Sequence, residues 1–242
     1  MNVHPRLLAP VLAAAASAAF LLTGCSASQT VTENTGEGQQ IGDDSAAGGA
    51  DKFGKEPKAK LVKAGFGKDG DYGYASAIVT NTSADNVGMF VTVQFNLLDS
   101  KGDLVASEDQ VEQFTSADQT LALGAHFEMK GKKKVAKVEA TLGLENKMSV
   151  DDAPNLPVGK VKVKQGEYGD TKAVFEVKNP GNVAQKHARI GVVCFNKGGK
   201  IIGGGSTYPD LVPAKGRVLV EADVLVAGTP ASCDAYAAPS IE

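Results

Sequence analysis

Between residues 59 and 238 the chain repeats itself, with a period of about 97 residues. Phe95-Asn96-Leu97-Leu98-Asp99-Ser100-Lys101-Gly102-Asp103-Leu104-Val105 matches Val192-Val193-Cys194-Phe195-Asn196-Lys197-Gly198-Gly199-Lys200-Ile201-Ile202 in polarity and glycine placement. Upstream, Ile78-Val79-Thr80-Asn81-Thr82 echoes Glu176-Val177-Lys178-Asn179-Pro180, each a strand followed by an asparagine-led turn. Downstream, Leu121-Ala122-Leu123-Gly124 echoes Leu211-Val212-Pro213-Ala214. A feature order kept through two copies predicts two units, each with its own core.

Within each unit the apolar residues recur with period two in short runs bounded by turn formers, which is the pattern of half-buried strands. Val91, Val93, Phe95 and Leu97 alternate with Thr92, Gln94 and Asn96. Ile190, Val192 and Cys194 are expected to face inward in the second unit, as are Val161 and Val163 between exposed Lys162 and Lys164. Asp99-Ser100-Lys101-Gly102 and Asn196-Lys197-Gly198-Gly199 read as hairpin loops in which a glycine supplies positive φ. No long amphipathic helix competes. The expectation is all-β, two tandem immunoglobulin-like antiparallel β-sandwiches. The first spans 59–148 and the second 159–242, with a linker at 149–158 stiffened by Pro154 and Pro157.

The N-terminus has a different character. Arg6 precedes an almost wholly apolar or small stretch from Leu7 to Leu22, the build of an export signal. Leu22-Thr23-Gly24-Cys25 then resembles the lipobox of bacterial lipoproteins, in which a diacylglycerol is attached to the cysteine sulfur before cleavage on its N-terminal side. The resemblance makes 1–24 a signal peptide and Cys25 the first mature residue, on the outer face of the cytoplasmic membrane. Each buried methylene contributes roughly 0.8 kcal/mol, so two or three acyl chains hold a domain stably where one does not. From Ser26 to about Pro57 only Val31, Ile41 and Phe53 are sizeable apolar residues, so 25–58 is expected to be a flexible tether and spacer.

The other two cysteines, Cys194 and Cys233, form one even pair in a chain expected to be exported, and are read as a structural disulfide. A loop of about 40 residues closed this way is worth about 4 kcal/mol on the chain-entropy estimate. In the repeat alignment Cys194 takes the place of Leu97, and Cys233 falls near the position of Val138.

Phe95-x-Leu97-Leu98-Asp99 resembles the signature of the FxLYD domain, a small β-sandwich module of bacterial surface proteins, with Leu98 where tyrosine is usual. The second unit carries Val192, Cys194, Phe195 and Asn196 at the four signature positions. The signature is mostly core-forming, so the resemblance implies fold and brings no activity with it.

Chemistry is sparse in the rest of the sequence. His126 and His187, the histidines of the mature chain, fall at unmatched places in the two units and are expected at the surface, and a metal site usually gathers three or four ligands. Gly203-Gly204-Gly205-Ser206-Thr207 is not the Gly-x-Ser-x-Gly elbow of a nucleophilic serine, and its glycines read as a bulged or edge strand. Asp69-Gly70-Asp71 and Asp151-Asp152 lack EF-hand spacing and read as solvated turns rather than calcium ligands. No phosphate-binding fingerprint occurs. No cofactor, metal or catalytic residue is therefore assigned.

Charge is near balance, at a formal −3, which does not suit a nucleic-acid partner. Its one local feature is Lys130-Gly131-Lys132-Lys133-Lys134-Val135-Ala136-Lys137, a solvated face that discourages edge-to-edge sheet pairing. Its functional alternative is contact between the Lys132 to Lys134 run and anionic headgroups or wall polymers. The leading expectation is a non-catalytic cell-envelope lipoprotein, a binding or scaffold module held to the membrane by its lipid, with an envelope protein or wall polymer as partner. An accessory or regulatory subunit of a membrane enzyme or transporter is the second reading, and a hydrolase with a dispersed active site the third.

Overall fold

The computed structural model describes residues 29–34, 59–132, 134–148, 155–167 and 169–239. Its strands are β1 (Gln29–Asn34), β2 (Ala59–Asp69), β3 (Tyr72–Asn81), β4 (Met89–Leu98), β5 (Leu104–Gln113), β6 (Thr120–Glu128), β7 (Lys137–Lys147), β8 (Lys162–Gln165), β9 (Thr171–Lys178), β10 (Gln185–Lys186), β11 (Arg189–Phe195), β12 (Ile201–Thr207), β13 (Leu211–Val212), β14 (Arg217–Val226) and β15 (Ser232–Ala238). One 3-10 turn, Ala84–Asn86, is the sole helical element among the described residues. The fold is all-β with antiparallel pairing throughout, as the period-two patterning requires.

Both units use one connectivity. In the first, a β2-β3-β6 sheet faces a sheet ordered β1-β7-β4-β5. In the second, β8-β9-β14 and β15-β11-β12 are the corresponding triplets, joined into one six-stranded order because β12 also pairs with β14. Val91, Val93, Phe95 and Leu97 are fully buried in the first core, and Ile190, Val192 and Cys194 lie in the second. Val161 packs against that second core, but Val163 is exposed. Val163 lies opposite the buried Ala173, on the core-facing side as expected, but every residue of the four-residue edge strand β8 is exposed.

The local chemistry of the repeat is conserved down to single hydrogen bonds. The side-chain oxygen of Asp99 accepts from the N–H groups of Lys101 and Asp103, and that of Asn196 accepts from Gly198 and Lys200. Gly102 and Gly199 take the positive φ that closes each hairpin, at 87° and 74°. Asn81 and Asn179 are buried at the same place in each unit. Each accepts from the N–H two residues on, and each donates through Nδ2 to a carbonyl of a distant segment, Ser116 and Val212 respectively. An asparagine buried this way stitches a strand end to two other segments, and an aliphatic residue there would leave those groups unpaired.

Two expectations need correction. The downstream echo of Leu121 is Val218, not Leu211, because Leu121 lies opposite Val79 and Val218 lies opposite Val177. Leu211–Val212 instead forms a short ladder with Gln185–Lys186. Second, part of the expected tether is a strand: β1 pairs with β7, Gln29 opposite Leu142 and Asn34 opposite Lys137. Within the linker, Leu156 belongs to the second core and bridges Ala237, while Val158 bridges Val177.

Candidate functional site

The four lipobox residues, Leu22, Thr23, Gly24 and Cys25, lie outside the described residues, as do Asp151 and Asp152. Cys194 and Cys233 form the disulfide, at a sequence separation of 39. They are direct cross-strand partners, and Leu97 and Val138 are the corresponding partners in the first unit. The crosslink thus replaces an apolar contact at one structural position.

His126 and His187 are both exposed and sit in different units. The ring of His126 packs edge-on against Tyr74 at 4.6 Å, and partial burial lowers its pKa. Asp69-Gly70-Asp71 is an exposed hairpin turn with Gly70 at φ 56°. Among the described residues no group of three or more His, Cys, Asp and Glu could hold a metal ion. Lys130, Lys132 and Lys134 are exposed in the loop between β6 and β7, while Val135 packs on the first core. The lysines do not guard an edge at β7, which is paired on both sides, although the strand they follow, β6, is an edge of its sheet.

The glycine run proves to be internal. β12 lies between β11 and β14, so it is not an edge strand, although its ladder with β11 does shift register at Cys194/Phe195. A Cβ on Gly203 or Gly205 would stand 2.1 Å from a β14 carbonyl oxygen, and one on Gly204 2.1 Å from that of Val192. Ser206 hydrogen-bonds the Tyr74 hydroxyl across to the first unit. That hydroxyl is therefore used in joining the units.

The largest constellation missed from sequence is this junction. The outer face of β2, β3 and β6 packs on β11 and β12, with Ile78, Ala122, Val193 and Ile201 forming a small apolar cluster between the two cores. Strand β3 is therefore buried on both faces: Ala75, Ala77 and Val79 enter the first core, while Ile78 meets the second unit. Gly65, Gly67 and Gly191 permit close backbone approach, since a Cβ on any of them would lie within 2.5 Å of an atom of the other unit. At its rim, Arg189 Nε lies 2.9 Å from a Glu112 carboxylate oxygen and 3.2 Å from the Tyr208 hydroxyl. Arg189 NH1 donates to the Ala122 carbonyl at 3.0 Å.

Burial raises the Glu112 pKa, and the Arg189 charge and a Gln110 hydrogen bond only partly oppose this. The guanidinium satisfies several acceptors at once, so the pair fixes register between the units rather than adding much net stability. Lys63 adds a contact at the opposite side, donating to the Gly199 carbonyl at 2.8 Å. Arg189 does interrupt the small and apolar run around Ala188 and Ile190, but its partner lies on another unit, where no local pattern points to it.

Two grooves flank β15. One of about 380 Å³ is lined by Val158–Val161 and Ser232–Tyr236, and the other, about 290 Å³, by segments near Gln119, Leu156 and Ala237. The larger carries Lys160, Ser232, Asp234 and Tyr236 as its polar groups, without a histidine to serve as base for the serine.

No protein-family model matches the chain, and no curated protein matches it. Among solved structures, one described as a "putative beta-galactosidase" from Bacteroides fragilis is 11% identical with a TM-score of 0.19, over 76% of this chain. The chain spans 40% of that structure's length. A likeness this loose says nothing about activity here.

Proposed function

We propose that this chain is an exported lipoprotein, anchored through Cys25, whose two FxLYD-like sandwiches act as a non-catalytic binding or scaffold module on the outer face of the membrane. The observation that carries the reading is the apolar segment ending in Leu22-Thr23-Gly24-Cys25. The Cys194–Cys233 disulfide supports an oxidising compartment. The buried junction supports a scaffold role, since it presents the loops of two sandwiches at a set spacing rather than as independently swinging modules. Arg189, Glu112 and Tyr208 at that junction are engaged with one another, while the buried Ser76 hydroxyl beside Gly204 has no hydrogen-bond partner among the described residues.

Fractionating cells that express the parent and Cys25→Ser tests the address. The parent is expected in the membrane fraction, with its folded part open to protease added outside, and Cys25→Ser is expected to leave that fraction or keep its signal peptide. A parent found free in the cytoplasm, or a Cys25→Ser variant anchored like the parent, overturns the reading.

A further inference from the structure

We propose that strand β1 sets which end of the first sandwich meets the bilayer: the end formed by Ala84–Asn86, Gly88 and the last residues of β7 faces the lipid, and the lysine loop at 130–134 faces away. This rests on lipidation of Cys25 as proposed above. Because β1 is antiparallel to β7, with Gln29 opposite Leu142 and Asn34 opposite Lys137, the N-terminal end of β1 points toward the Lys147 end of β7. Only residues 26–28 separate Cys25 from Gln29, a reach of at most about 14 Å for four Cα steps. From Leu142 to Lys147 the sheet itself extends roughly 17 Å. A lipid on Cys25 can therefore come level with this end of the sheet and hardly beyond it, which presses that end into the headgroup layer.

An unpaired tether of the 34 residues 25–58 would instead lift the domain roughly 30 Å. The end so placed suits the position, with Met148 exposed, Val87 and Met89 half-buried, and Lys147 donating to the Asp85 carbonyl. The lysine loop precedes Lys137, at the other end of β7. That end lies roughly 34 Å from Lys147. Headgroup potential decays over about 8 Å in physiological salt, so these lysines are out of its reach and turn toward whatever lies outside the membrane.

The test uses the full lipidated protein in phosphatidylcholine–phosphatidylglycerol vesicles containing a nitroxide-headgroup lipid, with a genetically encoded fluorescent residue at position 148 or at position 132. Quenching is expected to be several-fold stronger at 148 than at 132. Replacing both Val31 and Thr32 by proline removes at least one β1–β7 hydrogen bond, because alternate residues of an antiparallel strand bond the same neighbour. That variant should still sediment with vesicles while quenching at 148 drops to the level at 132. Equal quenching in the parent, stronger quenching at 132, or indifference to the prolines overturns the proposal. A parent that does not sediment with vesicles at all overturns the lipidation reading, and this proposal with it.

Discussion

The first sandwich and the second follow one strand order, yet the first leaves β5 as a free edge while the second wraps its equivalent, β12, onto β14. The ladder registers show why, since Leu97 lies opposite Ala106 and Cys194 opposite Gly203. Ala106, Ser107 and Glu108 thus stand where the second unit has Gly203, Gly204 and Gly205. β5, which carries side chains at these positions, does not pair with β6, whereas the lack of side chains on β12 lets it close the corner at Gly203 and Gly204. The same glycines let the first unit dock on the outside, where Gly204 faces Ser76. A run of three glycines in a strand is therefore a packing device here, and the entropic cost of each, roughly 0.5–1 kcal/mol, is set against two new contacts.

Breaking the link between the units should have the largest effect. Arg189→Leu strands the Glu112 carboxylate at the junction, and loss of one partner of a buried pair costs about 3–5 kcal/mol. Urea unfolding should show that loss, with the transition splitting in two as the units uncouple. A single, unshifted transition would mean that the junction does not couple them.

The cross-strand position comes next. Replacing both Cys194 and Cys233 by alanine should lower stability by about 2–4 kcal/mol, through loss of the crosslink and of buried volume. Cys194→Leu with Cys233→Val installs the first unit's pair and should recover part of that loss in thermal unfolding. Equal destabilisation by both double variants would show that the two positions are not interchangeable.

Gly205→Val should cost about 1–3 kcal/mol, because its side chain meets the Asp223 carbonyl of β14. The reciprocal change Glu108→Gly in the first unit should cost less than about 1 kcal/mol, since β5 has no strand on its outer side. Hydrogen exchange on β14 amides reads the first directly, and unaltered protection would contradict the corner-closing role.

The smallest expected effect concerns pH. The Glu112 pKa is raised in the folded protein, so the folded state binds its proton more readily than the unfolded chain. Its contribution is fully present below the ordinary carboxylate range and is lost as pH rises through the raised value. Glu112→Gln should flatten that decline in a pH series of unfolding curves, and an unchanged slope would assign the decline to other groups.

Much of this comparison was legible in the sequence, where the determinants are local. Asp99 and Asn196 announce their hairpins through glycines three residues on, Asn81 and Asn179 mark the same turn twice, and Cys194 falls on Leu97 by counting alone. The corner was not legible, because a glycine run reads equally as a free edge or as a site of close approach, and only the neighbouring sheet decides. Strand β1 escaped because Gln29–Asn34 holds just one large apolar residue, Val31, and gains its place from the β7 backbone. The Arg189–Glu112 pair joins residues far apart in sequence and on different units, beyond the reach of any periodic pattern.

Intact mass of the unreduced protein from the membrane fraction weighs both the anchor and the crosslink. The account predicts a chain beginning at Cys25 that carries a diacylglycerol group and is lighter by the two thiol hydrogens of Cys194 and Cys233. An unacylated chain with another N-terminus, or an acylated one retaining both thiols, would contradict it.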